Sequence, residues 1–242
     1  MPYRQLDEAN ILRTLERLKA RIAERFPGSG LSKVADELIV VGKEVSETAN
    51  YLREPNYLIR VPVGIAIALM VMLVAILVVT VPWPTRLRDL DQLNQLANTG
   101  INNIVFLGIA IFFLVTIETR LKRNRALKTI HELRSLAHVV DMHQLTKDPE
   151  RLGSDAPDTA SSPERTMSPT QLGRYLDYCS ELLSVNSKLA ALLVQNFSDE
   201  VILGAVNEIE TLTTGLSGKI WQKIRLIERP RVQDPALADR VT

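Results

Sequence analysis

The sequence predicts an all-α protein, a two-span transmembrane helical hairpin joined to a cytoplasmic helical bundle. Three observations predict it. Val61 to Val81 reads VPVGIAIALMVMLVAILVVTV, 21 residues without a charge, enough at about 1.5 Å per residue to cross a hydrocarbon core of about 30 Å. Ile101 to Ile117 reads INNIVFLGIAIFFLVTI, 17 residues, at the short end of what can span. Outside these runs Leu, Ala, Glu, Arg and Lys dominate and aromatic residues are only 5% of the chain, a composition that favours helices.

Whole-chain averages conceal this division. A mean hydropathy of +0.04, 24% charged residues and a net charge of +1 average a greasy hairpin with polar flanks. The flanks are long enough for one modest helical domain built from both pieces. The near-neutral total gives no support to nucleic-acid binding, which needs a basic domain. A single cysteine, Cys179, excludes an intramolecular disulfide and a Cys-rich zinc site. The charged, periodic first 55 residues lack the early apolar core of a cleavable signal peptide, so the first span is expected to act as an uncleaved anchor.

Residues 1–56 read as an N-terminal cytoplasmic helical hairpin. Ile11, Leu15, Leu18 and Ile22 follow 4-3-4 spacing and share one helix face. Pro27-Gly28-Ser29-Gly30 stops that helix. A second helix is expected from about Ser32, read as its N-cap, to Arg53, with Val34, Leu38, Val41, Val45 and Leu52 buried. Helices joined by so short a turn lie antiparallel.

Residues 57–118 read as the transmembrane hairpin, with spans 58–81 and 101–117 and an outer connection 82–100. Tyr57 and Trp83 bracket the first span at headgroup level, and Arg60 can snorkel from its first turn. Pro82 and Pro84 end it. In the connection Leu87, Leu90, Leu93 and Leu96 suggest a short surface helix. Gly108 and Ala110 in the second span are small enough for close helix approach. Nine basic residues flank the cytoplasmic ends (Lys43, Arg53, Arg60, Arg120, Lys122, Arg123, Arg125, Lys128 and Arg134), against Arg86 and Arg88 in the connection. That asymmetry places both termini in the cytoplasm.

The second span is expected to continue as one helix through residues 119–146, with an apolar stripe of Leu121, Ala126, Leu127, Ile130, Leu133, Leu136, Ala137 and Val140. Residues 147–168, rich in Pro, Ser, Asp and Thr, read as a linker. Residues 169–228 read as a C-terminal helical hairpin. Ser168, Pro169 and Gln171 supply an N-cap, a first-turn proline and a capping-box partner. That helix buries Leu172, Tyr175, Leu176, Cys179, Leu182, Leu183, Leu189 and Leu193. Ser198-Asp199-Glu200 caps a last helix to Ile227, with a break expected near Gly215 and Gly218, and residues 229–242 read as a flexible tail.

Four side-chain groups are candidates for chemistry. His131, His138 and His143 fall within thirteen residues, with Asp141 among them. Imidazole and carboxylate at helical spacing can ligate a metal, with Asp177 or Glu181 of the next helix as further ligands. A polar helix-joining patch is the bland alternative, and a pH switch a further one. Asn102 and Asn103 near the outer mouth and Glu118 near the inner one would line a pore if several copies formed a ring; otherwise they are span-end residues. Cys179 reads as a buried structural thiol rather than a nucleophile. Ser161, Ser162 and Ser168 lie in Ser-Pro contexts, open to modification but better read as caps or linker. No phosphate loop, HExxH or GxSxG pattern occurs, no cofactor is implied, and the spans hold no charge of the kind that marks a proton relay.

The stretches IHELRSLAHVVDMHQLTKDPE, SSPERTMSPTQLGRYLDYCSELLSVNSKLAALLVQ and NEIETLTTGLSGKIWQKI resemble a family of bacterial two-transmembrane-helix inner-membrane proteins of unknown function, over residues 57 to 228. The resemblance implies a bacterial inner-membrane setting and supplies no catalytic residue. The topology is also similar to that of small bacterial two-span effector domains thought to form pores. The sequence therefore leads to a non-enzymatic, membrane-anchored helical scaffold or signalling module. Its partners would be the lipid bilayer and either further copies of itself or a cytoplasmic protein, with no nucleic acid. Docking would use the apolar faces of the N-terminal hairpin and of the helices from Pro169 and Ser198. A homo-oligomeric channel is the second reading, and a metal-dependent enzyme or sensor built on His131, His138, Asp141 and His143 the third.

Overall fold

The computed structural model describes residues 4–80, 90–147 and 167–228. Among these the chain is all-helical: α1 (Glu8–Arg25), α2 (Gly30–Arg53), α3 (Tyr57–Thr80), α4 (Leu90–Leu145), α5 (Pro169–Leu192) and α6 (Glu200–Glu228). It divides into two compact units. One comprises Met1–Leu52 with Ala126–Thr242, the other Arg53–Arg125.

The first unit is built on the buried faces of α1, α2, the later turns of α4, α5 and α6. Asp7 caps α1, its carboxylate accepting from the Asn10 amide at 3.1 Å, and Ile11, Leu15, Leu18 and Ile22 are all buried. The chain turns after Phe26 through Gly28, whose φ of +68° is a left-handed conformation that glycine adopts without a Cβ penalty. The cap of α2 differs from expectation. Ser29 supplies it, its hydroxyl accepting from the Ser32 amide at 3.2 Å. Ser32 itself lies inside the helix and is buried. Two serines three residues apart both satisfied the cap pattern, and the left-handed Gly28 lets the helix start at the earlier one.

Packing between these helices is mostly apolar, with aromatic and polar pins. Phe26 meets Tyr175 and Tyr178 edge to face, with centroids 5.3 and 6.2 Å away, the quadrupole-favoured arrangement. Gln195 clasps Leu6, accepting from its amide at 2.7 Å and donating to its carbonyl at 3.3 Å. Asn186, buried on α5, donates to the Leu133 carbonyl of α4 at 3.1 Å. Arg21 pairs with Glu181, Arg134 with Glu208, and Lys19 with Asp36 at 2.7 Å. Exposed pairs such as these contribute about 0–1 kcal/mol, so the buried leucines decide the stability.

α5 carries the expected capping box, with Ser168 accepting from the Gln171 amide and Gln171 from the Ser168 amide. α6 is unbroken: Gly215 and Gly218 lie within it. A glycine in a helix interior costs only about 1 kcal/mol. Burial of Ile209, Leu216, Ile220 and Ile224 on one face outweighs two such penalties.

The second unit holds α3 and the earlier part of α4. Both helices contain stretches long and apolar enough to cross a membrane. α4 is one helix of 56 residues, about 84 Å at helical rise. It begins at Leu90, so the residues read as a separate surface helix join it; Leu87 and Trp83 lie outside the described residues. Gly108 does not mark a close helix contact, because a Cβ added there would meet nothing within 4 Å. Leu121, expected on the buried stripe of α4, is exposed, whereas Ala126, Ile130, Leu133, Ala137 and Val140 are buried.

Candidate functional site

The most organised polar cluster of the second unit centres on Glu118. Its carboxylate accepts from Arg60 Nε at 2.6 Å, from the Asn56 amide at 3.1 Å and from Lys122 Nζ at 3.1 Å. Lys122 also donates to the Glu54 carbonyl at 2.7 Å. Local sequence explains the assembly. Glu118 and Lys122 are i, i+4 on α4 and share a face. Glu54-Pro55-Asn56 breaks the chain between α2 and α3, freeing the Glu54 carbonyl and the Asn56 amide from intrahelical bonding. The Glu118 and Lys122 side chains are only 13% and 6% exposed, whereas Arg60 is 58% exposed. Burial alone would raise the Glu118 carboxyl; the donors from Arg60, Asn56 and Lys122 overcome it and hold the group down at about 2. It is therefore an anion at any physiological pH.

This placement bears on the pore-lining candidates. Glu118 is enclosed by three donors, so its negative charge is already compensated within the chain. Asn102 and Asn103 are exposed on α4. Arg60, read as able to snorkel from the first turn of the span, donates to Glu118 and stays 58% exposed. The i, i+4 spacing of Glu118 and Lys122 was visible in the sequence, but the contribution of Arg60 and of the backbone at 54–56 was not, because these come from α3 and from the break before it.

The histidine cluster does not converge. His131 and His138 are exposed, Asp141 is partly buried and accepts from Gln144 Nε2 at 2.6 Å. His143 lies on another side of the helix. Five residues at about 100° each carry it roughly 140° around the axis from His138, and its imidazole covers Gly30, where an added Cβ would come within 2.2 Å of its Cε1. The two carboxylates considered as further ligands are engaged elsewhere, Asp177 with Arg174 at 3.5 Å and Glu181 with Arg21. Among the described residues no group of three or more His, Cys, Asp or Glu side chains could hold a metal ion. No protein-family model, curated protein or solved structure matches the chain.

Three titratable groups in the first unit, Tyr175, Cys179 and Glu132, are raised chiefly by burial. The Cys179 thiol is fully buried on α5, and burial pushes it up to about 12, against weaker opposing effects of Lys223 and Lys147. A thiol so disfavoured as thiolate is a poor nucleophile. Glu132 on α4 is raised by burial and by the neighbouring Glu44 of α2, with Lys128 opposing. Of the serines in Ser-Pro contexts, Ser168 is the α5 cap, and Ser161 and Ser162 lie outside the described residues.

Proposed function

We propose that the protein is a membrane-anchored, non-enzymatic helical module, with both termini in the cytoplasm of a bacterium. α3 and the 101–117 stretch of α4 would form the anchor in the inner membrane, and the helices of the first unit the working part. One observation carries the membrane reading. Among the described side chains, eleven large apolar ones of α3 and eight between Ile101 and Ile117 are exposed in the single chain, including Leu58 at 88% and Ile104 and Phe106 at 70%. At about 1 kcal/mol for each half-exposed side chain, water contact would cost on the order of 20 kcal/mol. A bilayer removes that cost.

The task of the first unit is recognition by its surface. The buried faces of α1, α2, α5 and α6, expected to dock a partner, line the unit's own core. Among the apolar side chains that stay exposed, Val139, Met142 and Leu145 share the last two turns of α4, while Val40 on α2 and Val201, Leu203, Trp221 and Leu226 on α6 lie elsewhere on the unit. Side chains with reactive chemistry have structural employment instead: Cys179 is packed, His143 seats Gly30, and Asp141 holds Gln144. The occupant of the α4 patch is a second copy of the chain or a cytoplasmic helix.

The test is native mass measurement of the full chain extracted in mild detergent. An oligomer or a stoichiometric complex is expected, reduced by Met142→Glu with Leu145→Glu while thermal stability holds. A monomer that captures nothing overturns the reading. The compensated charge of Glu118 favours this module over a homo-oligomeric channel. Vesicles carrying the protein should stay tight to ions, and a conductance altered by Asn102→Ala or Glu118→Gln would reverse that order.

A further inference from the structure

We propose that the inner end of the second unit binds the phosphate of an anionic glycerophospholipid, with Arg120 as the principal contact. The inference rests on the membrane reading above and adds a headgroup preference to it. Arg120 follows Ile117 by three residues, yet its guanidinium does not extend away from the apolar stretch. It folds back over the Phe113 ring, 5.0 Å from the centroid, in the direction in which helical side chains lean. Phe113 is itself half exposed. A guanidinium stacked on an aromatic face keeps its N–H fork directed sideways, the geometry that grips phosphate oxygens in pairs.

The charge around it is unbalanced in the sense that such a ligand requires. Positions 53–60 and 118–125, brought together by the Asn56, Arg60 and Glu54 contacts to Glu118 and Lys122, carry six cationic side chains and two acidic ones. Glu118, the acid nearest Arg120 in sequence, is already committed to Arg60, Asn56 and Lys122. The region thus keeps net positive charge at the boundary of the apolar stretch, where an anionic bilayer presents phosphates and attracts basic side chains. Arg120 would work at the depth of the last apolar turn, which a lipid phosphate reaches and a soluble anion has no reason to prefer.

The test compares spin-labelled phosphatidylglycerol with spin-labelled phosphatidylcholine around the full chain in phosphatidylcholine vesicles, reading the motionally restricted fraction of each. The expected result is a preference of roughly fivefold for phosphatidylglycerol, close to unity for Arg120→Gln and intermediate for Arg120→Lys, which keeps the charge and loses the stacked fork. Equal restriction of the two lipids by the unaltered protein, or a preference unchanged in Arg120→Gln, overturns the proposal. Loss of the preference on adding inorganic phosphate, at an ionic strength matched with chloride, assigns the site to free phosphate and overturns the lipid assignment. Vesicle flotation separates the two levels of the argument. Protein that floats without headgroup preference contradicts this proposal alone, and protein left in the aqueous fraction contradicts the membrane reading as well.

Discussion

Replacing Glu118 by Ala removes the acceptor that ties the 54–60 turn to α4. Three contacts disappear, but they are not equal. Arg60 is mostly in solvent, so its pair with Glu118 contributes little. The Asn56 amide and the shielded Lys122 ammonium each lose a charged hydrogen bond of about 1.5–3 kcal/mol. Since contacts sharing one carboxylate do not add fully, the expected local cost is about 3 kcal/mol. That raises the open fraction of the turn roughly a hundredfold. Hydrogen–deuterium exchange of the Asn56 amide reads this directly in detergent micelles. Glu118→Gln keeps a neutral acceptor and should speed exchange about tenfold. Rates within about twofold of the unaltered protein in both variants would refute the assignment of Glu118 as the organising group. The same network has a signed pH dependence. A carboxyl lowered from 4.5 to about 2 contributes stability that is present above its unfolded value and lost as pH falls through 2. A Glu118 carboxyl carbon that titrates near 4.5 contradicts it.

Other outcomes follow from the first unit. Glu132 is raised by burial and by Glu44, so its contribution is present at low pH and is lost as pH rises through its elevated value; Glu44→Gln should flatten that loss in thermal melts recorded across pH. Cys179, held up at about 12, should resist thiol reagents at pH 8 until the protein is unfolded, and rapid labelling of the native chain would refute its burial. Gly30→Ala drives a Cβ into the His143 imidazole. His143 is the movable partner, so the strain is modest, and a double-mutant cycle with His143→Ala should give a coupling of about 1 kcal/mol in urea unfolding.

Helices whose apolar residues follow one period were legible to the residue. Ile11, Leu15, Leu18 and Ile22 on α1 and the residues from Leu172 to Leu193 expected on the inner face of α5 and its C-cap are buried as their spacing requires, because a one-period stripe of apolar side chains is turned to the core whichever helices cover it. The capping box at Ser168 was legible because it is local, made within four residues. Features that depend on what lies opposite were not. The Ser29 cap depended on the φ of Gly28, and Gly30 as a seat for His143 is set by a helix more than a hundred residues away. Proximity in sequence also misled: His138 and His143 look clustered until the helical turn separates them. Glu118 was singled out for its position at a span end, but its partners come from the break at 54–56 and from α3, which no periodicity reveals.

The central claim is that α3 and the apolar stretch of α4 are embedded in a membrane, with the helical unit on the cytoplasmic side. The most direct measurement is labelling of introduced cysteines by a membrane-impermeant maleimide in bacterial cells producing the full chain, using the exposed positions Ser135 and Asn102, with buried Cys179 as a silent background. The account predicts that Asn102→Cys reacts in cells with an opened outer envelope and an intact inner membrane, and that Ser135→Cys reacts only after that membrane is permeabilised. Reaction of Ser135→Cys before permeabilisation, or equal reaction of both positions, would contradict it.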